Sequence, residues 1–149
     1  MKKPGKLELN WRQKSLDSLE EVNTPPLDKE GDSYLVTTIH RLRSKPVGDF
    51  SVEDLRITIG QRSGLPFLVP LAIEVLENNI LAEGDFYEGD LLKSVLSIDY
   101  SFWNEYRHYW RIVRNVIIEN QPELQNFETG AAIKNSWFEK FRTLEQRLM

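Results

Sequence analysis

Apolar residues recur along this chain mostly at helical spacing. The clearest case is near the C-terminus, where Trp137, Phe141, Leu144 and Leu148 fall at i, i+4, i+7 and i+11 and predict an amphipathic helix from about Gly130 onward. Upstream, Phe102, Tyr106, Tyr109, Val113, Val116 and Ile117, with a second stripe through Trp103 and Trp110, predict the longest helix. It starts at Asp99 or Ser101, runs to about Asn120 and stops at Gln121-Pro122. Leu91, Leu92, Val95 and Leu96 form a short apolar helix capped by Asp90. Leu68, Leu71, Ala72, Val75, Leu76 and Asn79 give the inner stripe of a helix from near Pro66 to Asn79, with Pro70 in its first turn, where a missing N–H costs little.

Three earlier helices have serine or aspartate start signals. Ser15 caps a segment through about Val22 carrying Leu16 and Leu19. Asp32 or Ser33 caps one with Leu35, Ile39 and Leu42, which ends before Pro46 because the residue ahead of a proline avoids helical dihedrals. Ser51-Val52-Glu53-Asp54 reads as a relaxed capping box ahead of Leu55, Ile57 and Ile59, with Gly60 or Gly64 as the stop. Asn23 to Gly31, with Pro25-Pro26, is a loop, and Ala82 to Asp90 is another. Period-2 alternation and hairpin dipeptides are missing. The expectation is an all-α single compact domain of about six or seven helices over residues 15–149, preceded by a flexible or weakly structured N-terminus over residues 1–14.

Composition narrows the possible chemistry. The 149 residues include no cysteine, so disulfides, a thiol nucleophile and thiolate zinc sites are excluded. His40 and His108 are the two histidines, and neither has a neighbouring arrangement that suggests a catalytic triad. The longest uncharged run, Ser63 to Ile73, is eleven residues, against the roughly 20 a membrane span needs. Lys2, Lys3 and Lys6 precede no apolar stretch of the kind a signal peptide has. The expected location is cytoplasmic, with no membrane partner.

The net charge of −4 is unevenly spread. Residues 47–90 hold nine carboxylates against Arg56 and Arg62, a balance of −7, while both flanks are slightly basic. Such a field opposes a polyanion and suits a basic partner. Within that segment Glu83, Asp85, Glu88 and Asp90 surround Phe86-Tyr87. Acids steer a basic partner and an aromatic anchors it, so this loop is the expected recognition edge. The same oxygens suggest a hard-cation site, though they do not match a calcium-loop pattern. Six of the sixteen aromatics lie between Tyr100 and Trp110, beside Arg107 and His108. Their spacing argues for core packing rather than base stacking, with Arg107, Arg111 and Arg114 on another face.

A run of motifs resembles the immunity proteins of bacterial contact-dependent growth inhibition (CDI) systems. It comprises Tyr34-Leu35-Val36, His40 to Pro46, Phe50 to Ile57, Ile59-Gly60-Gln61, Gly64-Leu65-Pro66, Leu68 to Ala72, Glu74 to Glu77, Leu81 to Tyr87 and Gly89 to Leu92. The resemblance covers roughly residues 15–97. Where family members often carry proline this chain has Ile80 and Glu88, which implies a less rigid and more acidic loop. The resemblance implies a non-enzymatic inhibitor that binds the C-terminal toxin domain of a CDI effector and protects the producing cell. Many such toxins are nucleases, and some relatives are paired with a ribonuclease A-like toxin. Interface residues vary with the toxin, so no contact position carries over.

The combined expectation is an immunity protein with no cofactor, no metal and no direct nucleic-acid ligand. Its partner is the cognate toxin domain, a basic nuclease, contacted by Glu83, Asp85, Tyr87, Glu88 and Asp90, with Tyr87 as anchor. Two alternatives remain open at this stage. One is a metal-assisted hydrolase using the acidic loop 83–90. The other is a helical adaptor that docks through its C-terminal stripe.

Overall fold

Three helices begin by one device. In a computed structural model that describes residues 8–27, 31 and 33–148, the hydroxyls of Ser15, Ser33 and Ser51 accept the backbone N–H of Ser18, Val36 and Asp54 at 3.2, 3.2 and 3.1 Å. Each satisfies a donor that the first helical turn would otherwise leave open. At Ser51 the box is reciprocal, since Asp54 accepts the Ser51 N–H at 3.1 Å. The helices so started are α1 (Leu16–Glu20), α2 (Tyr34–Leu42) and α3 (Val52–Gly60). Asp32, the other expected cap of α2, lies outside the described residues, as do residues 1–7.

Six more helices follow: α4 (Leu65–Asn78), α5 (Asp90–Leu96), α6 (Tyr100–Glu105), α7 (Arg107–Glu119), α8 (Gln121–Asn126) and α9 (Ala131–Leu148). The domain is all-α, with nine α-helices and no strand among the described residues. The higher count has two causes. The expected long helix breaks at Tyr106, whose φ of −112° and ψ of 57° leave the helical region. Its two halves differ in their main neighbour, α6 packing on α9 and α7 chiefly on α4. Gln121-Pro122 does not simply stop the chain. It opens α8, with the proline in the first turn where its missing N–H costs nothing, and Leu124 returns to the core.

At the centre of the core is α4. Its apolar surface is not one stripe: every residue from Leu65 to Ile73 is buried except Pro70. The helix is surrounded by α3, α5, α7 and a 3-10 turn at Val47–Asp49, so all its sides face protein in this half. It begins at Leu65, which puts Pro70 sixth, past the first turn rather than within it. The Pro66 carbonyl therefore accepts no bond from position 70.

The α9 stripe is buried as patterned, with Trp137, Phe141, Leu144 and Leu148 in the core. That stripe is committed to the chain's own interior, which removes the surface the adaptor alternative required. Arg107 donates to the Leu148 carbonyl at 2.9 Å and Arg114 pairs with Glu145 at 2.9 Å, tying α7 to α9. The aromatic segment is core, as its spacing indicates: Phe102, Trp103, Tyr106 and Trp110 are buried, and the Trp103 and Trp110 rings meet edge-on at 5.7 Å. Trp11, in the segment expected to be weakly structured, forms a 3-10 turn at Trp11–Gln13 and joins the same core.

Burial is incomplete on α2. Leu42 is fully buried and Ile39 partly, but Tyr34, Leu35 and Val36 in its first turn are exposed.

Candidate functional site

The loop between α4 and α5 is built from the inside. Asn79 leaves α4 in an extended conformation. Its side-chain oxygen accepts the Leu81 N–H and its carbonyl the Ala82 N–H, both at 3.0 Å. Ile80, Leu81 and Ala82 are thereby pressed into the core. Glu83 and Glu88 then pair as an antiparallel bridge, and Gly89 donates to the Leu81 carbonyl at 3.1 Å.

Residues 84–87 wrap around one carboxylate. Asp90 is only 3% exposed, and it accepts backbone N–H groups from Gly84 at 2.7 Å, Phe86 at 3.1 Å and Tyr87 at 3.4 Å. The expected helix cap is instead the first residue of α5, following Gly89, and its acceptors face back into the loop. A buried carboxylate that accepts several amides is strongly held. Gly89 is needed here on two counts. Its φ is +90°, and a Cβ would lie 2.2 Å from Cζ2 of Trp137. The Trp137 indole N–H donates to the Gly89 carbonyl at 3.2 Å, so α9 supports the loop from behind.

A second carboxylate comes from α3. Glu53 accepts the Asp85 N–H at 2.9 Å and takes two bonds from Arg56, each at 2.6 Å. The hydrogen bond from Arg56 is the main reason the Glu53 carboxyl titrates below its ordinary range; burial opposes this and the Asp85 N–H adds to it. Arg56 also lies 3.7 Å from Asp90, and its guanidinium sits 4.4 Å from the centroid of the Phe86 ring.

The five expected contact residues therefore separate. Glu83, Asp85 and Glu88 are exposed and form no salt bridge among the described residues, although the Asp85 charge is felt by Arg56. Tyr87, the expected anchor, is half-buried, and burial, followed by the Asp90 charge, raises its hydroxyl pKa. Asp90 is inside and shapes the loop rather than facing outward. The aromatic that points out is Phe86, at 70% exposure. Phe86 divides two surface grooves. One, of about 330 Å³, is lined by Tyr34, Leu35, Glu53, Arg56, Ile57 and Asp85 among others. The other, of about 360 Å³, has Arg56, Tyr87, Lys93 and Ser97 in its walls.

Charge in residues 47–90 is partly answered from outside the segment. Lys45 pairs with Asp54 at 2.7 Å, and Arg12 pairs with Glu74. Of the segment's exposed carboxylates without a salt bridge among the described residues, Glu83, Asp85 and Glu88 lie on the loop, and Asp49 and Glu77 lie elsewhere. Tyr34 and Leu35, which line the groove beside Phe86, are not among the expected contact residues. Their only sequence signal is an apolar stripe on α2 that reaches further toward its N-terminus than the core does.

The carboxylates of the loop do not converge. Among the described residues no group of three His, Cys, Asp or Glu side chains is arranged to hold a metal ion. Among those residues His40 Nε2 is 2.8 Å from the Pro25 carbonyl, and the His108 ring lies tilted at 44° to that of Tyr109 with centroids 4.1 Å apart. Also among the described residues, no helix is long and apolar enough to cross a membrane.

An acidic loop held by backbone hydrogen bonds, with an outward aromatic and two flanking grooves, has features that protein interfaces use. The chain matches the family model of CDI immunity proteins over residues 18–113, and it belongs to that family. The match runs from α1 into α7 and includes the whole loop. No curated protein matches the chain.

Proposed function

We propose that this protein acts in the bacterial cytoplasm by binding the C-terminal toxin domain of its CDI effector, a basic nuclease, through the acidic loop. The reading assigns it no catalysis, no cofactor and no nucleic-acid ligand. One observation carries it: Glu83, Asp85 and Glu88 stand exposed around a pinned loop in a segment whose charge balance is −7. A nuclease site is basic because it holds phosphates, and an acidic surface is drawn to it by the same field. Steering of this kind raises association rates and is weakened by salt. The acidic field also disfavours RNA and DNA as direct ligands.

The test is association kinetics between this protein and its cognate toxin domain. Reversing two charges, as Asp85→Lys with Glu88→Lys, is expected to slow association about tenfold at low salt and to flatten its salt dependence. Both side chains are exposed, so the fold should persist by circular dichroism. Unchanged association would remove the loop from the contact.

A further inference from the structure

Resting on that reading, we infer that the centre of the toxin contact is an apolar strip shared by two elements. It consists of Phe86 on the loop and Tyr34 with Leu35 on the first turn of α2. Its occupant is an uncharged apolar or aromatic side chain of the basic toxin domain, flanked by Lys or Arg.

The exposed large hydrophobics of the described residues are mostly scattered, as at Leu9, Val22, Leu27, Ile112 and Ile118. Tyr34, Leu35 and Phe86 differ because they line one groove together, at 72%, 36% and 70% exposure. An isolated exposed apolar side chain needs no explanation, whereas a gathered set marks an interaction site. Phe86, the loop's part of the strip, is also preorganised. Phe86 has its N–H on Asp90 and its inner face on Arg56, which Glu53 grips with two bonds. Phe86 therefore has less freedom to lose on binding.

Charge selects the occupant. Glu53 and Asp85 line this groove, and its one cation among the described lining residues, Arg56, is already committed to Glu53. A cation placed on the outer face of Phe86 would oppose Arg56 across the ring. The ring therefore suits an uncharged side chain, and the carboxylates beside it suit the flanking cations. The groove on the other side of Phe86 sets two cations, Arg56 and Lys93, against a single, buried carboxylate, Asp90, and so suits flanking cations less.

In this division of labour the acids govern arrival and the apolar strip governs residence. Binding of the cognate toxin domain to immobilised wild type, Phe86→Ala, Tyr34→Ala and the double variant, at low and moderate salt, separates the two. The single variants are expected to dissociate at least tenfold faster with association unchanged, and the double variant to lose less than the product of the two. Dissociation within twofold of wild type in Phe86→Ala would overturn the strip. If the lysine variants still slow association in that case, the loop reading stands and only this inference falls. If neither set changes binding, both fall. Sedimentation of the free protein covers the remaining occupant: a dimer abolished by Phe86→Ala would assign the strip to a second copy and overturn the proposal.

Discussion

Replacing Asp90 with asparagine tests the construction of the loop at its centre. The two side chains have the same shape, so no cavity is made. Asp90 offers Oδ1 to Gly84 and Oδ2 to Phe86 and Tyr87. Asparagine has one acceptor oxygen. If it keeps Phe86 and Tyr87, its NH2 group faces the Gly84 N–H across a 2.7 Å contact, donor against donor. One charge-assisted bond is lost, about 1.5–3 kcal/mol, and the survivors weaken because the acceptor is neutral. Arg56 also loses a carboxylate 3.7 Å away. The expected total is about 2–4 kcal/mol, large against the roughly 5–15 kcal/mol of a typical domain but short of unfolding it. Guanidinium chloride denaturation at neutral pH measures the cost. Asp85→Asn on the same loop is the control and should fall within about 0.5 kcal/mol of wild type, because that side chain is exposed. Hydrogen exchange should speed up at the amides of residues 84, 86 and 87. If Asp90→Asn matches wild type in stability, or Asp85→Asn costs as much, the carboxylate does not organise the loop.

Two further outcomes follow from packing and charge. Gly89→Ala must accept a φ of +90° and a Cβ 2.2 Å from Trp137, an expected cost of about 2–5 kcal/mol. Gly31→Ala shares the backbone strain at φ +89° but meets nothing within 4 Å, so thermal melts should show it losing much less. On pH, Glu53 and Asp54 both titrate below the ordinary carboxylate range. Glu53 is lowered chiefly by Arg56, and Asp54 is lowered although burial, its largest influence, pushes upward against the Lys45 hydrogen bond and the Ser51 N–H. A depressed folded-state value means that protons favour the unfolded chain. Stability from these two groups should be complete above about pH 5 and lost as the pH falls through and below the normal carboxylate range. A denaturation midpoint that rose on acidification would contradict both pairings.

Local signals in this chain were readable, and signals set by distant neighbours were not. Ser15, Ser33 and Ser51 announce their helices because a cap and its target lie three residues apart. The α9 stripe was legible because a long helix repeats its inner face at fixed spacing. The break at Tyr106 has no glycine or proline to mark it; what accompanies it is tertiary, since α7 takes α4 as its main neighbour and α6 does not. The loop shows the same limit. Its acidity is visible in a count, yet four carboxylates in eight residues look alike until Asp90 turns inward and the others do not. Phe86 and Tyr87 could not be ranked either, because the deciding contact for Phe86 comes from Arg56, thirty positions earlier.

The support of the loop by Trp137 has a practical consequence. The peptide from Glu83 to Asp90 is not a portable epitope. Its shape depends on Glu53 and Arg56 from α3 and on an indole from α9 that lies beyond the family match. Grafted alone onto another scaffold, it would keep its charges and lose their arrangement. Within this chain, substitutions deep in α9 could retune the presented surface without altering any residue that a partner touches.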